Sequence, residues 1–318
     1  MKTRRNRHPV SLRVSLTERC SLSCLYCRRD GEDAVPEEPV GFEDILALVG
    51  ALERGYGLSK VALTGGEPLL REGVTGLVRE LVSLGLADVA VTTNAQRLAA
   101  HAFPLRRVGL HRVNISLDSL DPATYRRLTR GGTLERTLAG IDAALRAGFD
   151  LVKLNMVVLR GVNDREVVPV ARFAFERGCR ARFLELMPVG VAAARYDEWF
   201  VPSAEVQDRL AAEFELDLLP VEPGSSSRGW RARDRWGLEG IVGFISPCTE
   251  PFCAGCRRLR LTASGRLLGC LAQSEGVDVR PLLRAGDDAL FAAVEHALTL
   301  TRAGRDFPAQ QDMIHIGG

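Results

Sequence analysis

No run in this sequence approaches the roughly 18 consecutive apolar residues that a membrane-crossing helix needs. An export leader is not expected either, because the basic start MKTRRNRHPV passes straight into an alternating segment rather than an apolar stretch. Charge of one sign is not in excess: 42 Lys and Arg face 40 Asp and Glu and leave a formal net charge of +2. That balance excludes a global positive field for nucleic acid or an anionic membrane and confines any basic chemistry to local sites. The five histidines show no ligand spacing, and there is no internal repeat or long low-complexity run. The chain therefore reads as cytoplasmic, with neither nucleic acid nor membrane as a partner. What it does have is size, since 318 residues at 46% hydrophobic can bury a large core in one big domain or two modest ones.

Val10, Leu12, Val14 and Leu16 alternate with Ser11, Arg13, Ser15 and Thr17, the period-two pattern of a strand with one apolar and one polar face. Further strands are expected at 60–64, 88–93, 112–117, 151–159 and 181–187, with helices between most of them, among them 42–55, 73–85, 133–147 and 166–177. This βα alternation predicts an α/β fold on a parallel sheet. Six units fall short of a complete eight-unit barrel, so an open or partial barrel follows, with functional groups at the C-terminal strand ends. Past Pro188 the rhythm fails, and a helix near 203–215 leads into Pro220, Pro223 and a Gly-Ser-Ser-Ser stretch. A domain change is placed near 190, giving parts 1–190 and 191–318. The second part is expected to hold a hairpin around 229–245, a cysteine cluster from 248 to 270, a helix at 287–302 and an irregular tail from Asp306.

Eight cysteines in a long chain without an export leader point to metal binding or catalysis rather than to disulfides, and six of them fall in two tight groups. Cys20, Cys24 and Cys27 form CxxxCxxC just past the first strand. Three such thiolates can hold three corners of a four-iron cluster and leave the fourth iron open to an external ligand. Buried structural cysteines and an incomplete zinc site are the alternatives. In TGGEP, Thr64 to Pro68, the glycines allow close backbone approach to a ligand and Glu67 offers a carboxylate to an ammonium group, although the stretch alone could be a tight turn.

Cys253, Cys256 and Cys270 form the second set, for which zinc completed by Cys248 is the competing reading. Arg257, Arg258 and Arg260 follow the CxxC pair, and so many guanidinium groups beside thiolates read as anion ligands, a triphosphate being the obvious class. Lys153 and Arg182 interrupt apolar strands, where unpaired charge is costly, and Arg13 shares the polar face of the first strand. Cys179 and Cys248 read as core or incidental thiols.

The first cysteine loop, with Tyr26 before its last cysteine, resembles the radical S-adenosylmethionine (SAM) signature. The segments LRVSLTERC, CLYC, LTGGEP, TTN, VNISLDSLD, VKLN, RFLELMP, GFISP, FCAGCRRLRLT and the terminal IGG extend the likeness over nearly the whole chain, which resembles the GTP 3',8-cyclase family of molybdenum cofactor biosynthesis. The resemblance implies a partial (βα)6 radical SAM barrel with a C-terminal cluster-binding extension. It also implies two 4Fe-4S clusters, SAM on the one held by Cys20, Cys24 and Cys27, and the substrate purine on an open iron of the one held by Cys253, Cys256 and Cys270. Carried over residue by residue, it puts SAM against Tyr26, Gly66, Ser116 and Met187, and GTP against Arg13, Thr92, Lys153, Arg258, Leu259 and Arg260, a set that Arg182 joins from its place in a strand.

The implied reaction removes the ribose 3' hydrogen of GTP and joins C3' to C8, giving (8S)-3',8-cyclo-7,8-dihydroguanosine 5'-triphosphate. An external electron donor and a downstream cyclic pyranopterin monophosphate synthase are the implied partners, and a homodimer stays open. Two rival readings are a paralogous radical SAM enzyme acting on another nucleotide or a peptide, and a non-catalytic zinc or RNA-binding protein that leaves the first cysteine group unexplained. The chain departs from the family at Ala62, usually Arg and a phosphate contact, and at Ala95, Arg257 and Ala272, usually Gly, Asn and Phe. Arg257 is the candidate to replace the charge missing at Ala62.

The resemblance further implies that the tail threads toward the active site, so that Gly317 and Gly318 present an unobstructed backbone and a terminal carboxylate to the nucleotide. Deleting both glycines is expected to leave both clusters, folding and SAM binding intact while severely cutting GTP cyclisation. Wild-type turnover by the truncated chain, measured as cyclised nucleotide formed per minute, would show the tail to be only a frayed end.

Overall fold

Strand β1 (Val10–Ser15) buries Val10, Leu12 and Val14 in the main apolar core and turns Ser11, Arg13 and Ser15 to its other face, as the alternation requires. The computed structural model to which it belongs describes residues 8–28, 38–221, 225–273, 275–300, 307 and 313. β2 (Leu58–Thr64), β3 (Val89–Thr93), β4 (Arg112–Ser116), β5 (Leu151–Val157) and β6 (Arg180–Leu184) follow, each parallel to the one before. Between them run α1 (Phe42–Tyr56), α2 (Val74–Ser83), α3 (Leu98–Arg107), α4 (Pro122–Thr129), α5 (Leu134–Arg146) and α6 (Val167–Glu176).

The helices present apolar stripes to the sheet: Ile45, Leu48, Val49 and Leu52 of α1 and Leu77, Val78 and Leu81 of α2 share one core with the outward-facing strand residues. Each such side chain contributes about 1.5–3 kcal/mol by leaving water. Helix α4 starts where Pro122 fills a position that needs no N–H and Asp121 accepts from Thr124 N at 2.7 Å. Because the apolar face of every strand is taken up by this layer, the polar face lines the lumen.

Strands from beyond residue 190 extend the same sheet at both edges. α7 (Tyr196–Trp199) and α8 (Ser203–Ala211) lead into β7 (Glu215–Leu218) and β8 (Arg228–Arg233), which pair antiparallel outside β9 (Glu239–Ile245), itself parallel to β6. At the other edge β10 (Arg258–Leu261) lies parallel to β1, with β11 (Arg266–Leu268) and β12 (Val277–Asp278) antiparallel beyond it, before α9 (Val279–Ala285) and α10 (Asp287–Leu300). The result is one twelve-stranded sheet in the order β12-β11-β10-β1-β2-β3-β4-β5-β6-β9-β8-β7. The helix expected over 203–215 stops at Ala211, because Glu-Leu-Asp-Leu alternates with period two and pairs with β8. The segment past β6 also meets the β10–β11 side of the sheet: Val189 clusters with Leu268 and Leu271, and Met187 packs against that cluster.

One carboxylate ties the late strands to the barrel. Glu185, buried at the end of β6, accepts from Ser203 N at 2.9 Å, from Cys248 N at 3.0 Å, from Thr249 N at 3.1 Å and from the Thr249 hydroxyl. Glu185→Leu orphans the buried Ser203 N, at roughly 1–3 kcal/mol, while the Cys248 and Thr249 donors lie where water can reach them. The variant is expected to lose about 1–3 kcal/mol, read as a lower urea midpoint; an unchanged midpoint would mean that Ser203 N finds another acceptor.

Candidate active site

The loop beyond β1 is held by backbone contacts that only glycine permits. Gly66 N donates to Thr17 O at 2.6 Å and Glu67 N to Arg19 O at 2.8 Å. A Cβ on Gly66 would fall 2.2 Å from Arg19 O, and one on Gly65, whose φ is +144°, 2.5 Å from Thr17 O. The close approach expected toward a ligand is thus first an approach to the cysteine loop itself. Glu67 has no exposed surface, and its carboxylate accepts from Leu69 N at 3.1 Å, the Thr93 hydroxyl at 2.7 Å and Asn94 N at 2.8 Å. Burial raises its pKa to about 6. Its contacts make it an anchor between the ends of β2 and β3 rather than an open acceptor for an ammonium group. Asn94 passes that anchoring on, since Nδ2 lies 3.2 Å from Ser21 Oγ and 3.7 Å from Cys20 Sγ.

Within the loop, Cys20 Sγ also accepts from Leu22 N at 3.4 Å, and Cys27 N donates to Cys24 O at 2.9 Å. Burial pushes the Cys24 thiol well above its ordinary value, and the neighbouring Cys27, Asp118 and Cys20 push it further. Crowded buried thiols of this kind ionise readily only against positive metal charge. Tyr26 and Gly66 stand on this loop and beside it, and Ser116 closes β4 on the same lumen face, opposite Asn155 of β5.

The second cysteine group lies at the other end of the β1–β10 pair. Cys253 and Cys256 precede β10, and Cys256 N donates to Cys253 O at 3.1 Å. The β10–β11 hairpin, with Arg260 opposite Leu268, runs back so that Cys270 returns toward the start of β10. Gln273 Oε1 fixes that turn by accepting from Gly269 N at 2.8 Å and Cys270 N at 3.1 Å, while Cys270 Sγ accepts from Ala272 N at 3.4 Å. The expectation that function gathers at C-terminal strand ends therefore holds for the first group only. From Ser11, level with Arg258, to Ser15 the strand rises roughly 13 Å.

Between the two groups the lumen is lined with cations. Arg13 stands in register with Arg260 on one side and Ala62 on the other, and Ser11 with Arg258 and Lys60. Burial, Arg13 and Arg258 hold Arg260 well below the ordinary guanidinium range, and burial with Arg258 holds Arg13 at about 10. Across the lumen, burial and then Arg112, Arg13 and Arg180 bring Arg182 to about 9. Arg182 donates through Nε to Asn155 and through Nη2 to Asn114, both at 2.8 Å, and Asn114 donates to the Thr92 hydroxyl at 3.1 Å. Lys153 lies beside Asn114 in the sheet. Buried cations that weaken one another's hold on protons make a receptor for a multiply charged anion.

Leu259 faces the other way, fully buried in the apolar core, so only its backbone is available to a nucleotide. Arg257 occupies the alternate position to Arg258 and Arg260, and its Nε is buried without a hydrogen-bond partner among the described residues. On the lumen face Ala62 has Arg13 level with it on β1 and Lys60 one alternation earlier on β2. Lys60, Arg112 and Asp118 went unread in the sequence. Strict alternation back from Ala62 and Asn114 would have found the first two, whereas Asp118 carried no separate signal. Gly317 and Gly318 lie outside the described residues.

The residues fit two clusters. None of the eight cysteines is paired in a disulfide, and in each triad one sulfur accepts a backbone N–H two residues on.

Known proteins agree with this geometry. Residues 14–174 match the Radical SAM superfamily and residues 179–306 match the family described as Molybdenum Cofactor Synthesis C. The GTP 3',8-cyclase of Moorella thermoacetica is 44% identical over 301 residues, covering 92% of this chain and 91% of that protein. That of Hydrogenovibrio crunogenus is 38% identical over 300 residues, covering 92% and 90%. SuiB of Streptococcus suis, solved bound to S-adenosylmethionine, shares the fold at a TM-score of 0.60 and 17% identity, over 87% of this chain and 65% of that one. By its thiol triads, its sheet and these likenesses, the chain belongs to the radical SAM superfamily and, within it, to the GTP 3',8-cyclase family.

Proposed function

We propose that this chain converts GTP to (8S)-3',8-cyclo-7,8-dihydroguanosine 5'-triphosphate, the first step of molybdenum cofactor formation. The observation that carries the reading is the run of buried and half-buried lumen cations, Arg13, Lys60, Arg182, Arg258 and Arg260, between two thiol triads. When bound, the reduced N-terminal cluster and SAM supply a 5'-deoxyadenosyl radical, and the second cluster supplies an open iron for the purine.

The chain's own part is placement. Tyr26, Gly66, Ser116 and Met187 hold SAM, with Glu67 fixing the loops beneath it. Arg13, Lys153, Arg182, Arg258 and Arg260 grip the triphosphate, Thr92 and the Leu259 backbone add polar contacts, and Gly317 and Gly318 close the pose. The helix layer keeps water from the ribose. In this reading residues 1–190 carry SAM and 191–318 carry the second cluster. An external one-electron donor and hand-over of product to a cyclic pyranopterin monophosphate synthase complete it, in the cytoplasm. No helix among the described residues is long and apolar enough to cross a membrane.

Reconstituted without oxygen, reduced and given SAM and GTP, the protein is expected to form 5'-deoxyadenosine together with a cyclised nucleotide; SAM cleavage with no cyclised product would overturn the reading. Cys24→Ala is expected to remove about half the iron and all SAM cleavage, and Cys256→Ala the other half and cyclisation.

Lys60 gives the binding a pH dependence. Burial, then Arg112, lowers its pKa to about 7, and a bound triphosphate favours its protonated form. GTP affinity is therefore expected to fall as pH rises above 7, by up to roughly tenfold per unit. Lys60→Met should flatten that slope in calorimetric titrations between pH 7 and about 9. An equal slope in both proteins assigns the proton elsewhere.

A further inference from the structure

Asp118 is a buried carboxylate two residues past Ser116, and its oxygens are divided between two distant parts of the chain. Oδ2 accepts from the Tyr26 hydroxyl at 2.6 Å, across 92 residues of sequence, and Oδ1 accepts from Val157 N, the last residue of β5, at 2.9 Å. The first distance is that of a strong charge-assisted hydrogen bond. The Tyr26 ring packs, half-buried, on the apolar cluster that contains Leu128, Leu159 and Trp199, and its hydroxyl reaches past that cluster to the carboxylate. The strand ends are fixed independently of the tyrosine, since Asn163 Nδ2 donates to Asp118 O at 2.8 Å and to Val157 O at 2.9 Å. The carboxylate side chain is thus the direct polar link between the cysteine loop and the β4 and β5 ends.

We propose that Asp118 is a positioning residue: through the Tyr26 hydroxyl it fixes the cysteine loop against the ends of β4 and β5, and so sets where SAM held by that loop points relative to a nucleotide in the lumen. The inference rests on reading the Tyr26 loop as the SAM site. Its consequence is tight coupling between SAM cleavage and product formation. A carboxylate accepts at both oxygens and makes the Tyr26 bond charge-assisted, whereas an amide that accepts from Val157 N turns its N–H toward the tyrosine oxygen and leaves only a weaker neutral bond there. Breaking the link leaves SAM able to bind and cleave but aims its adenosyl carbon poorly at the substrate hydrogen.

Three single variants and one double variant separate this from a merely structural role. Tyr26→Phe breaks the link and Asp118→Asn weakens it to a neutral bond, whereas Asn163→Ala loosens the same strand ends without touching Tyr26. In the protein before reconstitution, amide hydrogen exchange across 20–28 is expected to quicken in the first two and not in the third. In the reconstituted enzyme, the same two should lessen the change that SAM produces in the electron paramagnetic resonance of the reduced cluster. They should also raise the ratio of 5'-deoxyadenosine to cyclised nucleotide by about tenfold. The double variant should raise it no further than the larger single, because both changes act on one interaction. Asn163→Ala should lower the melting temperature and leave the ratio and the spectrum unchanged.

Multiplying effects in the double variant, or an equal rise in Asn163→Ala, would overturn the assignment. If Asp118→Asn fails to fold, Tyr26→Phe decides the matter, and an unchanged ratio and spectrum there sink the proposal. A wild-type chain that cleaves no SAM overturns the functional reading and this inference with it. A coupled wild type with unaltered link variants overturns the inference alone.

Discussion

The burial of guanidinium groups on adjacent parallel strands is the constraint on which this molecule depends. Arg13 of β1 and Arg260 of β10 are brought level by backbone pairing; burial first, and then Arg13 and Arg258, weaken the hold of Arg260 on its proton, while burial and Arg258 weaken that of Arg13. Two such charges in a desolvated lumen cost free energy that the apolar layer behind the sheet must offset. That layer is continuous, with Leu12 and Val14 on β1 and Leu259 and Leu261 on β10 buried on the same side. The pattern that makes the core also forces the cations inward. A multiply charged anion relieves the strain, and so the lumen selects its ligand by charge before any other feature acts.

The direction of β10 places the chemistry around that anion. Because β10 runs parallel to β1, the thiols that precede it stand at its start, while the CxxxCxxC loop follows the end of β1. A strand arriving antiparallel would have put both groups at one end and left no lumen between them. The cluster of Val189, Leu268 and Leu271, with Met187 against it, then joins the segment past β6 to the β10–β11 side across the lumen. Around the first triad, rigidity comes from a chain of polar links: Glu67 to Asn94, Asn94 to Cys20 and Tyr26 to Asp118.

Much of this was legible in the chain itself. The period-two alternation of β1, the βα rhythm through β6, the two cysteine triads and the arginines after Cys256 are local patterns, and local patterns survive in a linear reading because backbone geometry sets their periods. The resemblance to known cyclases rested on the same short segments. Other features were misjudged for a physical reason. Glu67 offered a carboxylate to a ligand in sequence, but in the fold three donors from its own chain reach it first. Leu259 and Arg257 sit among arginines in sequence, yet strand parity turns Leu259 into the core.

The sequence by itself determined the ligand chemistry, the strand faces and the class of fold, because spacing and alternation are properties of neighbouring residues. Only the tertiary structure decided that strands from beyond residue 190 flank the barrel on both edges, that the second triad lies at the opposite end of β1 from the first, and that Arg13 stands level with Ala62 while Lys60 lies one alternation before it. It alone joined Tyr26 to Asp118. Those outcomes depend on pairing between segments far apart in the chain, where register and direction are chosen by the burial of whole faces, and no local window contains that choice.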